Sequence, residues 1–176
     1  MKSRHLAKIA GLCVTLTPPA LIGTLILWAI FTWAGARLLD LPPGLALLGG
    51  IAAAGLHWLA DFCHQLGHAW AARRVGYPMS GVSLGKWLIF SSSQYPTDEI
   101  NLAPAIHIRR ALGGPAASLA IAALTGLLAW ALRPADNLAK WLVLFFSLDN
   151  LGAALGAFIP LGWTDGSTLL KMWKLN

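Results

Sequence analysis

The sequence predicts an all-α polytopic membrane protein with about four transmembrane helices. Of its 176 residues, 57% are hydrophobic and 11% are charged, whereas soluble domains carry about 25% charged residues. Four apolar stretches each approach the roughly 20 residues that a bilayer core requires. Lysine and arginine residues flank these stretches, so the net charge of +6 is explained by their role in orienting the helices in a lipid membrane. The charge therefore predicts no nucleic-acid partner.

The first predicted span runs from about residue 6 to residue 33, after a basic start. Pro18 and Pro19 lie within it and are expected to kink or break the helix. Its apolar stretch is too long for the hydrophobic region of a signal peptide. The sequence therefore predicts a retained anchor, an accessory N-terminal helix within residues 1–40.

Three further spans follow along the chain. The second begins after Pro42-Pro43-Gly44 and runs to about residue 72, and the third covers about 112–132. The fourth covers about 138–159 and stops before Pro160, because proline cannot continue a helix without losing a hydrogen bond. A short amphipathic tail follows from residue 167, and one membrane domain over residues 1–176 is the simplest organisation.

The loop between the second and third spans contains a predicted β-hairpin. Residues 82–84 and 87–90 are rich in strand-forming residues and flank Gly85-Lys86, which predicts the turn. Thr97, followed by two acidic residues, predicts a short helix start. A hairpin of this kind either pairs with an extended substrate segment or only caps the bundle. The sequence does not separate these two roles.

Charge placement predicts a multi-pass protein of the cytoplasmic membrane with its N-terminus inside. With that orientation, ten of the 13 lysines and arginines lie on the cytoplasmic side, and only Arg37, Arg133 and Lys140 lie on the other. The same orientation places Asp165 and the end of the second span on one side of the membrane. Side chains from these two segments are therefore able to meet.

Five polar side chains share one side of the second span. His64 and His68 are spaced i, i+4 and face the same way on a helix. His57, Asp61 and Gln65 fall on the same side of an otherwise apolar helix. Polar groups at membrane depth are costly and usually face a protein interior or a watery cavity. The pattern therefore predicts a polar pocket inside the bundle.

His64, His68 and Asp165 form a predicted metal site. Two histidines and one aspartate leave a fourth position for water, which is typical of catalytic zinc and not of closed structural sites. Nitrogen and oxygen ligands with an open position suit zinc. The alternatives are that the histidines bond neighbouring helices and that Asp165 caps the helical tail.

Gln65 stands where a zinc protease with the pattern His-Glu-x-x-His carries its catalytic glutamate. A protease needs a base that takes a proton from water and passes it to the leaving amine. The amide of Gln65 can orient water but has no useful basicity. Asp61, one turn earlier, is a candidate base, although orienting a ligand histidine is the role that we favour for it.

These motifs resemble those of the site-2 protease family of intramembrane zinc metalloproteases. The family pattern His-Glu-x-x-His corresponds to His64-Gln65-Leu66-Gly67-His68. The pattern Gly-Pro-x-x-Asn corresponds to residues 114–118, with Ser118 in the place of asparagine. The pattern Asn…Pro…Asp-Gly corresponds to Asn150, Pro160 and Asp165-Gly166.

The resemblance covers residues 44–170 and implies a three-helix catalytic core, with the first span outside it. It implies that His64, His68 and Asp165 bind zinc. It also implies that Asn150 helps to hold a substrate helix or stabilises the oxyanion. Its partners would be transmembrane protein substrates.

The function predicted first is an intramembrane zinc metalloprotease that cleaves transmembrane substrates. The glutamine at position 65 has three possible explanations. It is a substitution introduced to trap an inactive enzyme, it marks a natural pseudoprotease that binds a membrane partner, or Asp61 acts as the base in its place. The sequence does not separate the first two and ranks the third lowest. A small proton or metal transporter lined by the same polar residues is a weaker alternative.

Overall fold

The computed structural model describes residues 4–9, 11–97, 99, 102–135 and 137–175. Four helices within these residues are long and apolar enough to cross a membrane, which confirms the predicted fold class. A short fifth helix follows them near the end of the chain. The helices are α1 (Pro18–Leu38), α2 (Pro43–Arg74), α3 (Pro104–Ala131), α4 (Leu138–Gly156) and α5 (Asp165–Trp173).

Prolines mark the first turn of α1, α2 and α3. A proline is tolerated there because the first helical N–H groups have no intrahelical partner to lose. Of the two outcomes predicted for Pro18 and Pro19, a kink or a break, the structure shows a break, since α1 starts at Pro18 and the residues before it form strands. The third span begins at Pro104 instead of residue 112, and Pro115 lies inside it. The fourth span ends at Gly156, three residues earlier than predicted.

The segment before α1 forms two strands, so the prediction of one helix from residue 6 to residue 33 is wrong in its first part. β1 (Arg4–Ile9) and β2 (Leu12–Leu16) pair as an antiparallel hairpin. Leu12 and Val14 are buried, while the residues between and after them are less buried. This alternation follows the two-residue period of a strand with one face on a core.

The predicted hairpin is half of a four-stranded sheet. β3 (Gly81–Trp87) and β4 (Phe90–Gln94) pair in antiparallel fashion, and β3 pairs in parallel with β2, which gives the order β1-β2-β3-β4. The turn lies between Trp87 and Phe90 and not at Gly85-Lys86. Leu88 in this turn adopts the left-handed conformation, with φ 66°. The predicted helix start after Thr97 includes Asp98, which lies outside the described residues.

The tip of the β3–β4 hairpin reaches into the helical bundle. A side-chain carbon on Gly23 of α1 would overlap the backbone of Leu88, so glycine is required for this contact. On the other side, Nε2 of His57 lies 2.9 Å from the carbonyl oxygen of Ile89. His57 lies about 25 Å along α2 from the end of that helix. The sheet therefore enters the bundle and lines its interior.

Helices α2 and α3 cross through a reciprocal glycine contact. A side-chain carbon on Gly67 would overlap the backbone of Gly113, and one on Gly113 would overlap the backbone of Gly67. Small residues at such crossings allow two membrane helices to approach closely. This close approach brings the histidine face of α2 against α3.

We expect Gly67→Ala to lower the free energy of unfolding by about 1–3 kcal/mol, because the added methyl group overpacks the crossing. Thermal unfolding in detergent measures the change. Gly55→Ala is the matched control, since Gly55 lies on the same helix with open space around it. Equal stability of the two variants would contradict this account of the crossing.

Candidate metal centre

The two histidines of α2 are buried side by side against α3. His64 and His68 are 9% and 4% exposed, and their ring centroids are 4.7 Å apart. Gly114 of α3 lies directly against them, and a side-chain carbon there would overlap Nε2 of both rings. The absence of a side chain at position 114 is therefore what leaves room for both imidazole edges.

The start of α5 brings Asp165 to the same place. The backbone N–H of Gly166 donates to the carbonyl of Ala157 at 2.7 Å. A side-chain carbon on Gly166 would overlap the backbone of Phe158, so only glycine permits this approach to the end of α4. Oδ2 of Asp165 then lies 3.3 Å from Nε2 of His64 and 3.3 Å from Nε2 of His68.

The spacing of these three atoms fits a metal ion. Zinc ligands at about 2.0–2.1 Å from a tetrahedral ion lie about 3.3–3.4 Å from each other. The distances from Oδ2 of Asp165 to the two Nε2 atoms are both 3.3 Å. Charge-assisted N–H···O hydrogen bonds are shorter, about 2.7–2.9 Å. The structure thus brings the three predicted ligand atoms within 4.8 Å of one another, and the two separations from Asp165 match those around a zinc ion.

The other nitrogen of each ring is held by α3. Nδ1 of His64 lies 3.0 Å from Oγ of Ser118, and Nδ1 of His68 lies 2.8 Å from the carbonyl oxygen of Arg110. When Nδ1 donates to these acceptors, Nε2 keeps its lone pair and faces the centre. Such partners fix the ring orientation of metal-binding histidines. The sequence reasoning noted Ser118 only as a departure from a motif and missed this contact.

Asp165 is held in its charged form. Burial alone would raise the pKa of its carboxyl group, but the neighbouring imidazoles of His64 and His68 together outweigh burial and lower the pKa below its ordinary value. A carboxylate is the form that coordinates a cation. The alternative that Asp165 is the N-cap of the tail helix is wrong, because Thr164 is the N-cap and Asp165 is the first residue of α5.

Gln65 lines the cavity that contains the cluster. The cavity has a volume of about 1080 Å³, and His64, His68 and Asp165 are part of its wall. Gln65 is buried, and its Oε1 accepts a hydrogen bond of 2.7 Å from Oγ of Ser93 in β4. The residue at the base position is therefore seated by the sheet and faces the same space as the predicted metal ligands.

Asp61 and Asn150 make contacts that differ from those predicted for them. The carboxylate of Asp61 accepts from the backbone N–H of Ser91, with the closer oxygen at 3.1 Å, and so holds β4 instead of a ligand histidine. Asn150 is fully buried, and its Nδ2 donates to the carbonyl of Phe146 on its own helix. It is not among the described residues that line the cavity.

His57 joins three elements, a role that the sequence reasoning missed. Its Nδ1 lies 3.2 Å from both carboxylate oxygens of Asp149 on α4, and its Nε2 contacts the carbonyl of Ile89. The only sequence signal was the presence of one acidic residue in the middle of the fourth span. His57 thus ties α2, α4 and the hairpin tip together.

Comparisons with known proteins agree with this geometry. No protein-family model matches the sequence. The chain is 31% identical over 184 residues to Rip3, a protein of Mycobacterium tuberculosis strains Erdman and H37Rv that is named as a zinc metalloprotease. The match covers 96% of this chain and 43% of Rip3. The fold matches the site-2 protease from Methanocaldococcus jannaschii with a TM-score of 0.73 and 18% identity, over 98% of this chain and 72% of that one.

Four membrane-length helices and a His-His-Asp cluster define an integral membrane protein with a candidate metal centre. Rip3 is similar to the chain in sequence, and the site-2 protease from Methanocaldococcus jannaschii is similar to it in fold. The chain therefore has the fold of a site-2 protease. It spans less than half the length of the curated relatives that it matches.

We expect the purified protein to carry about one zinc ion per chain, and His64→Ala or Asp165→Ala to remove it, because either change leaves two ligands of three. Elemental analysis of the detergent-purified protein measures the content. His107→Ala changes another histidine of the cavity wall and serves as the control. Full zinc content in the Asp165 variant would show that the ion is held elsewhere.

We expect Ser118→Ala to weaken zinc binding by about 10–100-fold, because Nδ1 of His64 loses its acceptor. Competition with a chelator of known affinity measures the change. Ser147→Ala is the matched control, since Ser147 is a buried hydroxyl that bonds the carbonyl of Ala122 in another part of the bundle. Equal zinc affinity in the two variants would contradict the role given to Ser118.

Proposed function

We propose that this chain is the membrane core of an intramembrane zinc metalloprotease of the site-2 type. Its ligand is a membrane-spanning segment of another protein. Gln65 blocks turnover in the chain as written. The single observation that carries the proposal is the spacing of His64, His68 and Asp165 around one point in the wall of a large cavity.

The chemistry assigned to each residue follows from its place. Zinc, when bound, supplies a Lewis acid for a peptide carbonyl and lowers the pKa of a bound water. His64, His68 and Asp165 hold the ion, and Ser118 fixes the ring of His64. Gln65 faces the cavity with an amide that can donate to water or to a carbonyl, but it cannot take up a proton at neutral pH.

The cavity wall suits an extended peptide segment. A protease acts on extended backbone, and backbone without helical hydrogen bonds is tolerated at membrane depth only inside protein or in a watery cavity. Strand β4 supplies Ser91, Ser92 and Ser93 to the wall, and α4 supplies an apolar side. Polar groups along one wall can satisfy the backbone of an unwound segment.

Binding without cleavage is the second candidate function, and the contact of Gln65 with Ser93 favours it. The amide is buried and hydrogen-bonded at 2.7 Å, so it is accommodated by its surroundings. A chain with this residue keeps the metal ligands and the ligand cavity but has no base. It would act as a pseudoprotease that holds a membrane partner.

We also propose that residues 1–176 form one membrane domain, with residues 1–40 as an accessory region of the core 44–170. The N-terminus is assigned to the cytoplasmic side of the cytoplasmic membrane. The parallel pairing of β2 with β3 supports this orientation, because it joins the basic N-terminal strands to the segment between α2 and α3, which the basic residues Arg73, Arg74, Arg109 and Arg110 flank.

We expect Gln65→Glu to raise the rate of cleavage of a single-span reporter protein by about 10²–10⁴-fold, because a carboxylate restores the general base. The assay follows the product on gels after incubation in liposomes, with zinc content measured in parallel. The double variant Gln65→Glu with His64→Ala is the control and should not cut.

The same assay separates the two candidate functions. Capture of the reporter by the Gln65 form, with cleavage only by the Glu form, supports a protease scaffold whose base is missing. Asp61→Asn in the Gln65→Glu background should keep most of the gain, since Asp61 bonds Ser91. A zinc-loaded Glu form that neither binds nor cuts the reporter would reject the proposal.

A further inference from the structure

Arg110 is a buried cation of the cavity wall whose donors are not all used. It lies near the start of α3 and is 3% exposed. Its Nη1 donates to Oε2 of Glu99 at 2.8 Å, and its guanidinium carbon lies 3.5 Å from the centroid of the Tyr95 ring. Its Nη2 is buried and has no hydrogen-bond partner among the residues that the structure describes.

The free donor cannot easily turn to another acceptor. The guanidinium group is planar, and the pair with Glu99 and the stack on Tyr95 fix its orientation. A buried donor without a partner is costly, and such groups are rare in native proteins. The group is thus held ready for an oxygen acceptor that the described residues do not provide.

Charges near Arg110 connect it to the metal centre. Burial raises the pKa of the Tyr95 phenol above its ordinary value, the charge and the side-chain contact of Arg110 and a contact with Ser93 oppose this shift, and the Asp165 carboxylate reinforces it. Both charges therefore lie near the same ring. The backbone carbonyl of Arg110 also contacts Nδ1 of His68 at 2.8 Å. Glu99 offsets the charge of the guanidinium group, so a neutral or an anionic oxygen can approach it.

A second unused group of the cavity wall indicates what kind of ligand fits. Oγ of Ser91 is buried without a hydrogen-bond partner in the described part of the chain, and Ser91 lies near the start of β4. Tyr95, on which Arg110 stacks, directly follows the end of β4. A strand rises about 3.3 Å per residue, so the two ends are about 13 Å apart. An extended peptide spans that distance, whereas a small ion does not.

We propose that Arg110 anchors the peptide ligand of the cavity by donating from Nη2 to one of its oxygens, a backbone carbonyl or a side-chain carboxylate. The anchor fixes which peptide bond lies against His64, His68 and Asp165. This inference rests on the proposed function, because it names a group that recognises the ligand of the same site.

Arg110→Lys tests the anchor. Lysine keeps the charge and can pair with Glu99, but its ammonium group lacks the planar fork that serves two acceptors while stacking on Tyr95. The contact with His68 uses the backbone of residue 110, so zinc content should not change and reports on folding. Arg109→Lys is the matched control, since Arg109 is the exposed neighbour on the same helix.

The probes are three acetylated tripeptide amides, Ala-Ala-Ala, Ala-Asn-Ala and Ala-Asp-Ala, titrated by NMR against the detergent-purified protein with Gln65 in place. We expect Arg110→Lys to weaken binding by about 10–100-fold, as for a hydrogen bond to a charged group. If Arg110→Lys binds all three peptides more weakly, the acceptor is a backbone carbonyl. If Arg110→Lys binds only the aspartyl peptide more weakly, the acceptor is a side-chain carboxylate.

Equal binding by the unchanged protein and by Arg110→Lys, or no binding of any peptide, would overturn the inference and indicate that water satisfies Nη2. If lysine prevents folding, the ¹⁵N side-chain signal of Arg110 in the unchanged protein must shift when peptide is added, and a constant signal rejects the anchor. Reporter cleavage by Gln65→Glu does not use these peptides. Cleavage at an unchanged bond in the Gln65→Glu, Arg110→Lys double variant would reject the anchor and keep the proposed function.

Discussion

The close contact of α2 with α3 is the constraint on which the site depends. Gly67 and Gly113 pack backbone to backbone, and Gly114 leaves space for the two imidazole edges. Because the helices touch, Ser118 and the carbonyl of Arg110 on α3 lie within hydrogen-bond distance of Nδ1 of the α2 histidines. A wider crossing would remove both contacts and leave two polar rings in an apolar bundle, where unpaired polar groups are costly.

The second requirement is that backbone polar groups be satisfied at membrane depth, where lipid offers no hydrogen bonds. The hairpin β3–β4 meets it inside the bundle through side chains of α2. Asp61 accepts from the N–H of Ser91, and His57 contacts the carbonyl of Ile89. The polar face of α2 therefore has two uses. Its part near the end of the helix carries the metal-binding pattern, and its earlier part seats a strand that lines the cavity.

Much of the fold could be predicted because long apolar helices give a strong signal, and the trio His64, His68 and Asp165 stood out as polar groups in that background. The strands before α1 could not be predicted. A short apolar run such as the one that contains Leu12 and Val14 looks the same in the sequence whether it forms a buried strand or part of a membrane helix. The contacts of Ser118 and His57 depend on which helices cross and at what depth. Spacing along one chain does not contain that information, so Asp61 was given the wrong neighbour.

The unequal lengths of the four spans have a mechanical consequence for the surrounding lipid. With about 1.5 Å of rise per residue, the 32 residues of α2 measure about 48 Å, whereas the 19 residues of α4 measure about 28 Å. The hydrocarbon layer of a bilayer is about 30 Å thick. α4 matches this thickness, and α2 must lean or protrude. Hydrophobic mismatch of this kind is relieved by tilt or by local deformation of the bilayer, so α2 either crosses the bundle at a steeper tilt than α4 or extends beyond the hydrocarbon layer.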